Sequence, residues 1–245
     1  MKENKIYGLI GKNIDYSFSK NFFSKKFKNE NFNCKYLNFD IQNISEFKSV
    51  ISDKNISGLN VTIPYKEDII KYIDEISSDA KSIGAVNTIK ISNKKLTGYN
   101  TDHIGFTKSI EKIDEFKNIE SALILGSGGA SKAIQFALDN MNIKHTIVSR
   151  SNSIKCINYN QVSDKIIKNH KLIINCTPLG TFPEIEKCPE IEYRFLSPFN
   201  ILYDLVYNPE QSSFLSKGVK AGCKIKNGLE MLEIQAIESW KIWNS

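Results

Sequence analysis

Short apolar runs bounded by turn residues recur along the chain at 6–11 (IYGLIG), 34–39, 56–63, 85–91, 121–126 (SALILG), 144–149, 171–176 and 201–207. Runs of this length, rich in Ile, Leu and Val, predict strands. Between most of them lie stretches with helical spacing of apolar residues, including 67–76, 103–117 and 130–141, which predict amphipathic helices. Strands alternating with helices in this way predict an α/β protein built on parallel sheets.

One piece breaks the alternation. Residues 87–99 read as a hairpin with its turn at Ser92 to Lys95, just before a helix that begins near Asp102, and the first domain boundary is placed there. After Gly228 a final helix carries Leu229, Leu232, Ala236, Trp240 and Trp243 at helical spacing, an apolar face that needs a partner surface in either domain. No internal repeat or low-complexity linker interrupts the chain.

Composition narrows the class. With 245 residues and 41% hydrophobic content, the chain can build one large or two modest cored domains. The N-terminal apolar run is too short for a signal peptide, and no stretch approaches the roughly 20 apolar residues of a membrane span, so a soluble, unexported protein with no membrane partner is expected. Five cysteines (Cys34, Cys156, Cys176, Cys188, Cys223) are scattered without a C-x-x-C pair, and the three histidines are scattered too, so no metal site is expected. Reduced thiols fit a cytoplasmic location. The net charge of +6 comes from lysines interleaved with Asp and Glu, without a basic block or aromatic ladder. A solvated surface attractive to phosphorylated ligands is expected, not a nucleic-acid binder.

The chemistry begins at the strand SALIL, which runs straight into Gly126, Ser127, Gly128, Gly129 and Ala130 and then into a helix with Ala133, Ile134, Ala137, Leu138 and Met141 on one face. Strand, glycine turn and helix form the context of a dinucleotide fingerprint, with the pyrophosphate at the helix N-terminus. The third fingerprint position is Ser131. A Walker A loop is excluded, because Gly before the lysine and Ser or Thr after it are both missing at Ser131 and Ala133. The next strand ends in Ser149, Arg150 and Ser151, where an NAD enzyme would place a carboxylate for the ribose hydroxyls. Arg150 is one of only two arginines in a lysine-rich chain. Its guanidinium and the flanking hydroxyls suit a 2′-phosphate, hence NADP; the competing reading is a surface arginine.

Polar residues interrupt other strands. In GLNVTIPYKEDI, Asn60, Thr62 and Lys66 stand at or just past a strand's C-terminal end, the end that faces the ligand crevice in an open α/β sheet. A half-buried edge strand followed by a surface lysine is the open alternative. YSFS puts Ser17 and Ser19 at the mouth of a helix, suited to a carboxylate. AVNTI offers Asn87, and GYNTD offers Asn100, Thr101 and Asp102, the last equally readable as a helix N-cap.

Taken in order, YSFS, GLNVTIPYK, GAVNTI, GYNTD, LGSGGA, SR, NCTPLG, YDLVYNP and GLEMLEIQA resemble the motifs of the shikimate dehydrogenase family across almost the whole chain. The resemblance implies an N-terminal α/β substrate domain with a mostly parallel sheet (1–101 completed by 228–245) and a Rossmann-like NADP-binding domain (102–227). It implies Ser17 and Ser19 on the substrate carboxylate, Thr62, Asn87 and Gln235 on ring hydroxyls with Asn60 beside them, and Tyr207 near the carboxylate. Lys66 and Asp102 are the implied catalytic pair; the sequence leaves open which is the formal acid or base, and the hypothesis taken is that Lys66 carries the proton and Asp102 orients. Gly126 to Ala130 with Ser149, Arg150 and Ser151 would hold NADP, and Leu205 and Gly228 would lie near the nicotinamide. The implied reaction is reversible reduction of 3-dehydroshikimate to shikimate by a monomer or homodimer.

Four departures from the family pattern stand out. Lys20 replaces the usual Pro after the second serine, and the residues that follow lack the usual His-Asn. Ser149 replaces Asn, and Pro178 and Leu179 replace smaller residues. The chain also stops soon after Trp243, short of most of the family's last helix. The alternatives are an NAD-using quinate/shikimate dehydrogenase and a non-catalytic relative that binds NADP or a metabolite.

Overall fold

The computed structural model describes residues 5–14, 17–52, 55–150 and 155–245. The chain divides into two compact units, Met1–Thr101 with Gln235–Ser245, and Asp102–Ile234.

The first unit runs through β1 (Lys5–Gly11), α1 (Phe18–Asn29), β2 (Cys34–Asp40), the single turn α2 (Phe47–Val50), β3 (Ile56–Val61), β4 (Glu75–Ile76), α3 (Ser78–Ile83), β5 (Thr88–Ser92) and β6 (Lys95–Tyr99). These strands form one sheet of order β2-β1-β3-β5-β6-β4. Pairing is parallel at β1–β2, β1–β3 and β4–β6, and antiparallel at β3–β5 and β5–β6. Position β3 is therefore internal, which removes the edge-strand reading of GLNVTI. Alternation along β1 explains its continuous burial: Ile6 and Ile10 enter one core with Leu59, Val61 and Ile89, while Tyr7 and Leu9 enter the other with Phe23 and Phe27. The hairpin turn matches expectation, with Asn93 and Lys94 both at positive φ (51° and 65°), as a two-residue turn joining right-twisted strands requires.

The helix expected over 67–76 does not form. A 3₁₀ turn covers Asp68–Tyr72 and the chain then pairs as β4. Asp74 decides this locally: its N–H donates to the Leu96 carbonyl at 3.1 Å and its carboxylate accepts from the Leu96 N–H at 2.8 Å. Sheet pairing outweighs the amphipathic spacing.

The second unit comprises α4 (Asp102–Ile110), β7 (Ser121–Leu125), α5 (Gly129–Asn140), β8 (Lys144–Val148), β9 (Cys156–Ile157), α6 (Asp164–Asn169), β10 (Leu172–Asn175), β11 (Ile201–Asp204), α7 (Ser213–Lys220) and β12 (Lys224–Lys226). Helix α4 stops at Ile110, short of the expected 117. All pairings in this sheet are parallel, in the order β12-β11-β10-β7-β8-β9. The winding reverses between β7 and β10, the switch point outside which open α/β sheets bind their ligands. Both faces are covered: Ala122, Ile124, Leu172, Ile174 and Tyr203 pack on one side, and Leu123, Leu125, Ile173 and Leu202 on the other.

The last helix, α8 (Leu229–Trp243), spans the expected residues. Met231 joins the second unit's core beside Phe106 and Tyr203, whereas Ala236, Trp240 and Trp243 join the first unit's aromatic core. Its apolar face thus serves both cores. In the first unit, the Trp243 indole lies directly on Gly58, where any side chain would collide with the ring, and its Nε1 donates to the Ile89 carbonyl at 3.0 Å. Among the described residues, no helix is long and apolar enough to cross a membrane.

Candidate active site

In the first unit the polar candidates gather at the ends of strands and helices. Ser17 caps α1, its hydroxyl accepting from the Lys20 N–H at 3.3 Å, and Ser19 lies in the helix's first turn; both are buried. Lys20 supplies the N–H that Ser17 caps, a bond that the family's usual Pro at that place could not make. Past β3, Thr62 donates its N–H to the Ile10 carbonyl at 2.8 Å, and the chain turns through the cis Ile63–Pro64 peptide to Lys66. The Lys66 carbonyl accepts from the Val86 N–H at 2.7 Å, which ties this turn to the segment that carries Asn87. Thr62 and Lys66 are both half-buried.

Asn87 is the centre of a buried polar cluster. Its Oδ1 accepts from the Thr101 N–H at 2.7 Å and from Thr88 Oγ1 at 3.0 Å, and its Nδ2 donates to Thr101 Oγ1 at 3.0 Å. Thr101 Oγ1 in turn reaches Gln235 Oε1 at 3.4 Å and Ser239 Oγ at 3.2 Å. Ser239 is fully buried and lies 2.8 Å from Thr88 Oγ1 and 3.0 Å from Asn60 Nδ2. Asn60 also receives the Tyr36 hydroxyl on its Oδ1 at 2.8 Å. Burial pushes the Tyr36 phenol well above its ordinary range, and a hydrogen bond with Ser19 pulls it partly back. Asn60, Asn87 and Gln235, all expected site residues, are thus brought into one network. Polar groups buried this deeply persist only when paired, and orphaning one costs about 1–3 kcal/mol.

Tyr36, Thr88 and Ser239 were not legible as site residues. Tyr36 sits in an apolar strand and Ser239 on an apolar helix, and their partners lie 24 and 179 residues away in sequence.

In the second unit, Gly126 adopts φ of 112°, the left-handed region that favours glycine, and its N–H donates to the Val148 carbonyl at 2.8 Å. Gly128 precedes α5 with no side-chain cap, and a β-carbon built there would meet nothing within 4 Å. The N–H groups of the helix's first turn therefore open onto accessible space, a cradle that fits a phosphate. Ser127 and Ser149 hydroxyls lie 2.9 Å apart, closing the turn against the end of β8, and Arg150 follows as an exposed residue. Ser149 is itself buried, so it serves the turn in place of the family's Asn. Ser151 lies outside the described residues. Asp102 begins α4 and is buried within its first turn.

Leu205 and Gly228 are brought together. A β-carbon on Gly228 would collide with the Leu205 carbonyl, and the Gly228 N–H donates to the Val206 carbonyl at 3.2 Å. Tyr207, two residues on from Leu205, is half-buried. Beneath them the fully buried Asp204 accepts from Asn175 Nδ2 at 2.9 Å, from the Val206 N–H at 3.0 Å and from the Ser212 hydroxyl. Burial raises this carboxyl to about 6, with the three hydrogen bonds opposing the rise. Asn175 extends the knot into NCTPLG: its Oδ1 accepts from Thr177 Oγ1 at 2.6 Å and its Nδ2 reaches the Leu179 carbonyl at 3.3 Å. Leu179 contributes its backbone here, so a larger side chain is tolerated.

The sequence model of the shikimate dehydrogenase substrate binding domain matches residues 9–89. The chain is 39% identical to a protein named shikimate dehydrogenase (NADP(+)) from Methanococcus maripaludis strain C6, over 98% of this chain and 92% of the relative. Among solved structures, shikimate dehydrogenase 1 from Peptoclostridium difficile is 38% identical with a TM-score of 0.86, covering 98% of this chain and 92% of that one. A second solved shikimate dehydrogenase, in complex with NADP+, is 33% identical with a TM-score of 0.83, covering 98% and 90%. These similarities run the length of both units, and the chain belongs to the shikimate dehydrogenase family.

Proposed function

We propose that this protein catalyses the NADP-dependent, reversible reduction of 3-dehydroshikimate to shikimate. The observation that carries the reading is the buried cluster in which Asn87, Thr101 and Gln235, from three separate segments, are held by one another. Its amides and hydroxyls suit a polyhydroxylated ring. Thr62, Asn87 and Gln235 take the ring hydroxyls, Ser17 and Ser19 the carboxylate at the α1 N-terminus, and Tyr207 lies near that carboxylate. The unit holding residues 1–101 and the chain's end binds substrate; the other binds cofactor.

The Gly126 to Ala130 cradle, Ser149, Arg150 and Ser151, with Leu205 and Gly228, would hold NADP, whose reduced form would supply the hydride in reduction and whose oxidised form would take it back in oxidation. The chain's own work is to orient the ring and to handle one proton and one developing charge. Lys66 donates a proton to the ketone oxygen in reduction and recovers it in oxidation, while Asp102 orients the same hydroxyl. The reading includes a cytoplasmic location and a monomer or homodimer.

The test is nicotinamide absorbance with shikimate or quinate against NADP or NAD. Reduction of NADP by shikimate alone is the expected result; equal turnover of NAD or quinate, or silence in all four, overturns it. Lys66→Ala is expected to lower kcat at least 100-fold with KM for shikimate changed only a few-fold. A variant with wild-type kcat removes Lys66 from the proton's path.

A further inference from the structure

We propose that Tyr36 is a positioning residue of the substrate site, the strut that holds the carboxylate end at Ser19 and the hydroxyl-binding end at Asn87 and Gln235 at one fixed spacing. The proposal rests on the substrate reading given above for those three residues.

The ring of Tyr36 is fixed before its hydroxyl acts. It projects from β2 and is 3% exposed, stacking on Phe23 with centroids 4.7 Å apart and planes 12° from parallel. Phe23 stands one turn after Ser19 on α1, so the same helix that presents Ser19 sets the ring. A phenylalanine would satisfy that packing equally well. The hydroxyl adds a polar link to Asn60 Oδ1 at 2.8 Å, while the ring packs on the face of α1 that carries Ser19.

Asn60 carries the connection onward and is itself fully engaged. Its Nδ2 has two hydrogens to give and three acceptors in reach: the Asn87 carbonyl and Thr88 Oγ1, both at 3.3 Å, and Ser239 Oγ at 3.0 Å. With both ends of the amide engaged inside the protein and 4% of the residue exposed, Asn60 links the parts of this site to one another. Ser239 closes the chain through Thr101 Oγ1 and through the Gln235 carbonyl, to which it donates at 2.9 Å. A continuous path thus runs from α1 through the stacked rings of Phe23 and Tyr36 to Asn60, Ser239, Thr101 and Gln235, every side chain in it buried. A substrate that carries a carboxylate at one side of its ring and hydroxyls at the other is recognised by the distance between two subsites, and this path sets that distance.

Tyr36→Phe removes one oxygen and keeps the stacked ring. The expected result is a shikimate KM raised about five- to tenfold, with kcat and the KM for NADP within about twofold of wild type and the unfolding temperature shifted by only a few degrees. In the double variant with Ser19→Ala, the loss is expected to fall clearly below the product of the two single losses, because once the Ser19 hydroxyl is gone its placement by Tyr36 no longer matters. A lower unfolding temperature with an unchanged shikimate KM, or strictly multiplicative losses, overturns the positioning role. If Ser19→Ala raises the shikimate KM and Tyr36→Phe does not, the site reading stands and the strut alone is rejected. If Ser19→Ala leaves the shikimate KM untouched, the carboxylate assignment fails and the strut falls with it.

Discussion

Glycine at position 128 can answer a conformational need or a spatial one, and the two separate cleanly here. Its φ of −79° and ψ of −175° are extended backbone open to any residue, and an added β-carbon would touch nothing within 4 Å. Neither folding nor packing therefore demands glycine. What a methyl group would obstruct is the approach of a pyrophosphate to the first N–H groups of α5. Gly128→Ala is expected to shift the unfolding temperature by no more than about 2 °C while raising the KM for NADP about tenfold or more. A variant with unchanged NADP affinity would reduce the loop to an ordinary turn. Arg150 carries a second prediction at this scale. Arg150 is exposed and follows the buried Ser149 at the end of β8. Arg150→Ala is expected to raise the KM for NADP about 10- to 100-fold, the worth of charge-assisted bonds to a 2′-phosphate, and to leave the KM for NAD nearly unchanged. Equal losses with both cofactors would make Arg150 a general anion site and not a selector. The strand, glycine turn and helix were legible in the sequence because fingerprint spacing is local. Tyr36 and Ser239 were not, because a side chain that works by bridging elements far apart in the chain leaves no local signal.

At the scale of elements, the ends of β10 and β11 and the start of α7 are knotted by Asn175, Asp204 and Ser212. A carboxyl raised to about 6 from an ordinary value near 3.8 binds its proton more tightly folded than unfolded. Between those values the folded state holds more protons, so this group's contribution to stability is full below about pH 4 and is lost as pH rises through about 6. The loss is on the order of 3 kcal/mol by pH 7. Asp204→Asn keeps the acceptor for Asn175 and Val206 and supplies a donor to Ser212, mimicking the protonated form. Urea unfolding at pH 4.5 and pH 7.5 is expected to show the variant gaining on wild type at the higher pH. Parallel pH dependence in the two proteins would show that Asp204 is ionised at no net cost. Strands such as β7, β8 and β10 were readable because both faces of each are buried, which demands unbroken apolar runs. The segment over 67–76 misled because its amphipathic spacing is real, yet pairing of Asp74 to Ile76 with β6 consumes the same backbone groups a helix would use.

For the molecule as a whole, charge is the property that no single motif determines. The chain carries +6 at neutral pH, spread through lysines paired with nearby acids, such as Lys26 with Glu30 and Lys168 with Asp164. Pairs of this kind at the surface add little stability, but the surplus sets a positive field around two anionic reactants. NADP bears several phosphate charges and shikimate a single carboxylate. The screening length shrinks from about 10 Å at 0.1 M salt to about 3 Å at 1 M, so long-range attraction should fade while short contacts persist. kcat/KM for NADP is therefore expected to fall with added salt much more steeply than kcat/KM for shikimate, with kcat at saturation little changed. The same field would draw nucleic acid without choosing it, and a steep salt-dependent affinity for DNA matching that for NADP would mark the surface as a polyanion site. Equal salt slopes for NADP and shikimate would assign the cofactor's affinity to close contacts at the glycine loop and Arg150, and the net charge would then carry no role in catalysis.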